Sequence, residues 1–192
     1  SAKFITAFFR APAVTEAVRD LLNNRDGLML GICNGFQALI KLGLVPYGDI
    51  VPMTAECPTL TFNTIGRHQS RLVRTRVASN LSPWLAKTEV GDMHTIAISH
   101  GEGRFVASDV LAQLKANGQI ATQYVDEAGV PGMDLDVNPN GSLLAIEGIT
   151  SPDGRVFGKM GHSERYSNGT FVNVPGEKDQ PLFAAGVKYF AA

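Results

Sequence analysis

The stretch Gly27-Leu28-Met29-Leu30-Gly31-Ile32-Cys33-Asn34-Gly35-Phe36-Gln37-Ala38-Leu39-Ile40 joins two periodicities across one cysteine. Leu28 to Ile32 is a short apolar run of the kind that fills a buried parallel strand. From Phe36 onward the apolar residues fall at Leu39, Ile40 and Leu42, the i, i+3, i+4 spacing of a helix, and Gly43 closes it. Strand, tight turn and helix therefore meet at Cys33. Gly31 and Gly35 lie two residues to either side, where a turn sharp enough to lift one side chain over a sheet needs small residues. The helix that follows aims its unpaired N–H groups and positive dipole end at the sulfur, which favours thiolate over thiol. The same N–H groups, that of Asn34 first, are placed to hold an oxyanion. The plainer reading is a buried structural cysteine in a glycine-rich turn.

Working outward, 192 residues with 44% apolar and 18% charged content describe one α/β domain with a substantial core. Lys plus Arg is 17 and Asp plus Glu is 18, a net charge of −1, which gives no general attraction to nucleic acid or to an anionic membrane surface. Cys33 and Cys57 are the whole cysteine complement, too few for a disulfide framework or a paired-cysteine zinc site, and they point to a reducing compartment. No run approaches the roughly 20 consecutive apolar residues of a membrane span. The expected location is cytoplasmic, with no metal. Ser1-Ala2-Lys3-Phe4-Ile5 enters a helical pattern at once, whereas an open parallel sheet places further βα units before a central elbow strand. The expectation is a domain over residues 1–192 that lacks its first strands.

Phe4, Phe8 and Phe9 predict a first helix broken near Pro12, and Val14, Val18, Leu21 and Leu22 a second. Residues 46–49 are turn chemistry, and residues 51–63 read as irregular. Leu72, Val73, Thr75 and Val77 mark a strand that carries Arg71, Arg74 and Arg76, with Arg67 and His68 nearby; its default meaning is a solvated face. Met93 to Ser99 is a second apolar strand, and His100-Gly101-Glu102-Gly103-Arg104-Phe105 reads as a loop on a cleft rim, with His100 and Arg104 its candidate functional groups. A helix begins after Ser108 and closes at Gly118, a strand covers residues 119–126, and Asn138-Pro139-Asn140-Gly141-Ser142 is a dense turn before a strand over residues 143–149. Pro152-Asp153-Gly154 turns into a strand from Val156 to Met160, and Leu182, Phe183, Val187 and Phe190 mark a terminal helix.

A thiol nucleophile needs a base, and the base needs an orienting group. His162 and Glu164, two residues apart at a predicted strand end, supply both, since alternate residues of an extended segment share a side. A zinc deaminase reading of His-x-Glu fails because both cysteines precede His162. His94, His68 and His100 are other possible bases; His94, at the head of a predicted strand, reads as a satisfied surface histidine, and His100, at a strand end, is the second choice.

Four separated motifs carry a resemblance: Gly31 to Gln37, Ser99 to Phe105, Asn138 to Ser142, and His162-Ser163-Glu164-Arg165. In that order they resemble class I (triad) glutamine amidotransferases, and more closely the glutaminase domain of phosphoribosylformylglycinamidine synthases of the long single-chain form, of which this chain looks like the C-terminal part. The resemblance covers most of the chain. It implies a flavodoxin-like, open, mostly parallel sheet with helices on both faces. It implies Cys33 as nucleophile, His162 as base and acid, Glu164 as orienter, Asn34 and Gly35 at the oxyanion, and Gln37 against the substrate glutamine. It further implies ammonia delivery to synthetase domains, where ATP and Mg²⁺, absent from the glutaminase step, drive amidine formation in purine biosynthesis. Two features depart from the pattern. Ser163 stands where many relatives carry proline, and the family's opening strands, with a loop that donates to the oxyanion, have no counterpart before Ser1. The alternatives are another Cys-dependent γ-glutamyl hydrolase or peptidase, and a non-catalytic interaction module.

Overall fold

A computed structural model describes residues 2–191. Helices α1 (Ala2–Phe9) and α2 (Pro12–Asn23) lead into β1 (Met29–Ile32), and α3 (Asn34–Leu42) leaves directly from its end. After the short α4 (Leu44–Tyr47) come β2 (Thr59–Thr61), β3 (Gln69–Val77), β4 (Met93–His100), β5 (Arg104–Val106), α5 (Val110–Ala116) and β6 (Ile120–Tyr124). The chain ends with β7 (Ile146–Thr150), β8 (Val156–Lys159) and α6 (Leu182–Tyr189).

Six strands form one sheet in the order β1-β8-β7-β6-β3-β4, and β2 pairs with β5 apart from it. The α/β architecture expected from the sequence is present, with its parallel part confined to β1 and β8; the neighbouring pairs from β8 to β4 are antiparallel. Connectivity is the reason. A short turn joins β7 to β8 and reverses the strand's direction, and no helix crosses between β6 and β7. The turn between β7 and β8 is built by Asp153, which accepts from the Ser151 hydroxyl at 2.6 Å and the Arg155 N–H at 3.1 Å.

Alternation along the strands gives the sheet two apolar faces. Val156 and Ile120 join the core beneath α2, α3 and α5, while their neighbours Phe157 and Ala121 join Leu85 and Leu182 on the opposite side. Phe36 of α3 is fully buried over β8, where any side chain at Gly158 would run into its ring. Burying one such aromatic is worth about 1.5–3 kcal/mol, which helps to hold the helix against the strand beside Cys33.

Several expectations shift. The two helices at the start form, but Phe4 is 81% and Phe8 64% exposed, and α1 lies on α3 through its other side. Residues 59–61 and 104–106, read as irregular chain and loop, pair as β2 and β5; strands of three residues are too short to show a period. Residues 143–145 form a turn of 3₁₀ helix in which Leu144 and Ala145 have positive φ, so β7 begins at Ile146. The arginines of β3 are not merely solvated. Arg71 donates to the Asp136 carbonyl, Arg74 pairs with Glu127, and Arg76 donates to Gln123 and the Gly129 carbonyl, so together they hold the loop over residues 126–136.

Candidate active site

Cys33 extends the β1–β8 ladder by one residue, its N–H donating to the Lys159 carbonyl at 2.8 Å. The chain then turns at once into α3, with Cys33 at φ 53°, ψ −102°. A side chain held at positive φ costs about 1–3 kcal/mol and persists only where the surroundings impose it. Here they do: a Cβ at Gly31 would lie 2.5 Å from Leu39 Cδ1 and 2.8 Å from the Gly35 carbonyl carbon. The matching expectation for Gly35 does not hold, because a Cβ there meets nothing within 4 Å. One side of the turn is crowded; the other is open.

The Cys33 Sγ faces the Ser99 carbonyl at 3.8 Å. Burial pushes its pKa above the usual thiol value; the Asn34 N–H and Arg165 pull it down, Glu164 adds to the rise, and the net effect is upward. Burial thus favours the thiol, against the thiolate expected from the helix N-terminus alone. Nucleophilic use of this sulfur would require a base.

His162 follows β8 and is tied to β4, its N–H donating to the Ala97 carbonyl at 2.8 Å. Ala97 and Ser99 lie two residues apart on one strand, about 7 Å along it, so the cysteine and the histidine are anchored at the same end of β4. His162 Nδ1 lies 2.5 Å from Glu164 Oε1. With the carboxylate as acceptor, Nδ1 carries the proton and Nε2 keeps a free lone pair. Nε2 is buried and has no hydrogen-bond partner among the described residues. The pair is brought together differently from the expected strand end: Ser163–Arg165 is a 3₁₀ turn opened by His162, and the carboxylate folds back across it. No thiol–imidazole hydrogen bond is formed among the described residues.

A cavity of about 370 Å³ opens over Cys33, lined in part by Lys3, Gln37, His68, His100 and Glu102. Gln37 donates from Nε2 to the Glu102 carbonyl at 2.7 Å, which ties the elbow helix to the loop after β4. Asn34 borders the cavity; Gly35, Arg104, His162 and Glu164 are not on its described wall. A cavity of about 400 Å³ elsewhere, bordered by Arg76, Lys115 and Leu144, touches none of Cys33, His162 and Glu164.

His100 is 4% exposed and acts as an anchor. Its Nε2 donates to Asn140 Oδ1 at 2.9 Å, and Asn140 donates to the Gly103 carbonyl and the Tyr124 hydroxyl at 3.1 and 2.9 Å. Asn63 completes the frame, accepting from the Gly103 N–H and donating to the His100 carbonyl. Burial pushes the His100 pKa down and favours the neutral ring, whose Nε2 is committed to Asn140. Sequence reasoning treated Asn140 as turn chemistry and passed over Tyr124 and Asn63. The density of Asn and Gly around Asn140 was the available signal. His94, read as a surface group, is 5% exposed at the start of β4.

A cysteine elbow at a strand end, beside a strand that runs into a histidine–carboxylate pair, is an arrangement that fits a thiol nucleophile on an α/β fold. The CobB/CobQ-like glutamine amidotransferase domain profile matches residues 1–190, and the chain belongs to that family. Among curated relatives, the phosphoribosylformylglycinamidine synthase subunit PurQ of Aquifex aeolicus is 40% identical over 155 residues, covering 80% of this chain and 62% of its own length. That of Symbiobacterium thermophilum is 37% identical over 183 residues, covering 94% and 69%. Among solved structures, PurLQS from Thermotoga maritima matches with a TM-score of 0.63 at 28% identity, over 92% of this chain and 71% of the matched one, so the two share a fold. The chain spans about three-fifths of the length of the Aquifex relative. No described helix is long and apolar enough to cross a membrane.

Proposed function

We propose that this chain is a glutaminase that works through a thioester on Cys33. The observation that carries the reading is the strained cysteine at the end of β1, hydrogen-bonded to β8 three residues before a histidine whose Nδ1 is engaged and whose Nε2 is free. Glutamine enters the cavity against Gln37. The Cys33 proton passes to His162 Nε2 as sulfur attacks the γ-amide carbon, and the carbonyl oxygen becomes an oxyanion facing the Asn34 N–H. Collapse breaks the C–N bond, and the imidazolium gives its proton to the departing nitrogen, which leaves as ammonia. Water then attacks the thioester, His162 takes its proton, and glutamate departs as the thiol is restored. Glu164 holds the ring in the required tautomer throughout.

The names of the relatives and the PurLQS assembly support a wider reading. In it the ammonia passes to a synthetase component that uses ATP and Mg²⁺ to turn formylglycinamide ribonucleotide into formylglycinamidine ribonucleotide, a C–N ligase reaction of purine biosynthesis. The nucleotide and the ion belong to that component.

The test is residue-resolved mass spectrometry after treatment with a glutamine-shaped diazo-ketone, alone and with a synthetase component present. A single adduct on Cys33 is expected, prevented by excess glutamine and slowed by about 10²–10⁴ in His162→Ala, the range of a general base. Equal labelling of Cys57, or labelling indifferent to glutamine, overturns the reading. Release of glutamate from γ-glutamyl peptides but not from glutamine would favour a hydrolase of the peptidase kind instead.

A further inference from the structure

Beneath the His162 turn lies an ion pair that the mechanism above does not use. The side chains of Lys159 and Glu147 are both fully buried, with 3.5 Å between Nζ and Oε1. Two charges taken out of water inside a sheet gain little stability over apolar side chains of the same volume, so the arrangement calls for another account.

Their hydrogen bonds supply one. Lys159 Nζ donates to the Gly161 carbonyl at 2.9 Å and to Ser163 Oγ at 2.9 Å. Glu147 Oε1 accepts the Gly161 N–H at 2.5 Å, and Oε2 accepts the Thr122 hydroxyl. The Ser163 hydroxyl passes its own proton on to Gln180 Oε1 at 2.7 Å. Gly161 leaves no slack, since a Cβ there would lie 2.9 Å from both Glu147 Oε1 and Ile96 Cγ2. One ammonium thus grips the residue before His162 and the residue after it, while the peptide of His162 is fixed to β4.

We infer that Lys159 and Glu147 are positioning residues for His162, a buried pair that fixes the backbone on both sides of the imidazole so that its Nε2 is held ready for the Cys33 proton. This rests on the reading of His162 as the base. In this chain the stiffness of the turn comes from charge, applied through the Ser163 hydroxyl.

The variant that tests it is Lys159→Met with Glu147→Gln, which removes both charges together, fills the volume and leaves an amide oxygen for the Gly161 N–H. The readout is the long-range ¹H–¹⁵N spectrum of the imidazoles with the rings neutral, His162 being assigned by His162→Ala and folding followed by thermal unfolding. The parent ring is expected as a single tautomer with its proton on Nδ1, and the folded double variant as a mixture. Glutamine turnover is expected to lose at least about tenfold in kcat, as misplaced catalytic groups do, with KM changed less than about twofold. Ser163→Pro added to the double variant restores part of the loss, because residue 163 opens a helical turn, a place that accepts proline. Should the double variant fail to fold, Ser163→Ala gives up one anchor and moves the tautomer ratio the same way by less. A ring that keeps one tautomer in these variants overturns the inference, as does a parent ring that is already a mixture. A parent that releases no glutamate refutes the glutaminase reading, and the tautomer ratio still decides the clamp.

Discussion

Cys33 sits in a backbone conformation that L-residues avoid, and the residues around it divide into those that enforce the turn and those that only accompany it. Gly31 enforces it, because any side chain there drives into Leu39 and the peptide of Gly35. Gly31→Ala is expected to lower stability by about 1–3 kcal/mol, the usual cost of overpacking, and to abolish labelling of Cys33 by the diazo-ketone. Gly35→Ala is expected to do the opposite for stability, gaining up to about 1 kcal/mol in urea unfolding because Gly35 lies inside α3 with open space above it. The sequence pointed to both glycines equally. Their spacing about the cysteine is symmetrical, and the packing that separates them depends on how Leu39 folds back over β1. Burial raises the thiol pKa, so labelling by a small neutral alkylating agent is expected to climb with pH beyond the range of an ordinary cysteine. A plateau at neutral pH would mean that the helix N-terminus outweighs desolvation after all.

At the scale of elements, the loop after β4 is as much a part of the site as the elbow. Asn140, fully buried, ties His100, Gly103 and Tyr124 into one frame, and the Glu102 carbonyl held in that frame receives Gln37. Removing a hub of this kind leaves buried partners unsatisfied at about 1–3 kcal/mol each. Asn140→Ala is therefore expected to lower the unfolding midpoint and to raise KM for glutamine more than it lowers kcat. An unchanged KM would show that the loop does not shape the pocket. The elbow was legible because its evidence is local: a run of apolar residues, a turn and a helical stripe. His162 and Glu164 were legible as a pair, though the 3₁₀ turn that joins them was not, since three residues carry no period. Lys159 was not legible at all. In Val-Phe-Gly-Lys it reads as a lysine at a strand end, and only pairing with β7 places it beside Glu147.

Across the whole molecule, His94 and His100 are neutral because burial lowers their pKa values below the ordinary value of 6.5, with Lys159 adding to the effect at His94. In the unfolded chain both bind protons from about that value downward. The unfolded state thus holds more protons there, and stability rises with pH through that window. Full stability is expected above about pH 6.5, with progressive loss as pH falls toward the lowered folded values. Thermal melts of His94→Gln and of His100→Asn, normalised to their own neutral-pH midpoints, are expected to show a shallower acid decline. An identical slope would assign the decline to other groups. The direction of strand pairing also belongs to this scale, which is why it escaped the sequence. Apolar strands announce burial, while parallel or antiparallel pairing is decided by what connects them, and the run from β6 to β8 contains no crossover helix.

The parallel contact between β1 and β8 joins Ile32 to Lys159 across most of the chain, whereas β7 and β8 close over a short turn. Contacts of short separation form early and those of long separation late, because chain entropy must be surrendered before a distant pairing gives anything back. The His162 side of the candidate site is therefore expected to assemble on the β7–β8 hairpin before Cys33 is carried to it. Cys33 leaves the ribosome well before His162, so on the proposed mechanism the thiol waits without an acceptor for its proton until the segment through His162 has followed. On that mechanism, chemistry at Cys33 would be timed by folding itself, beginning when β8 takes its place beside β1.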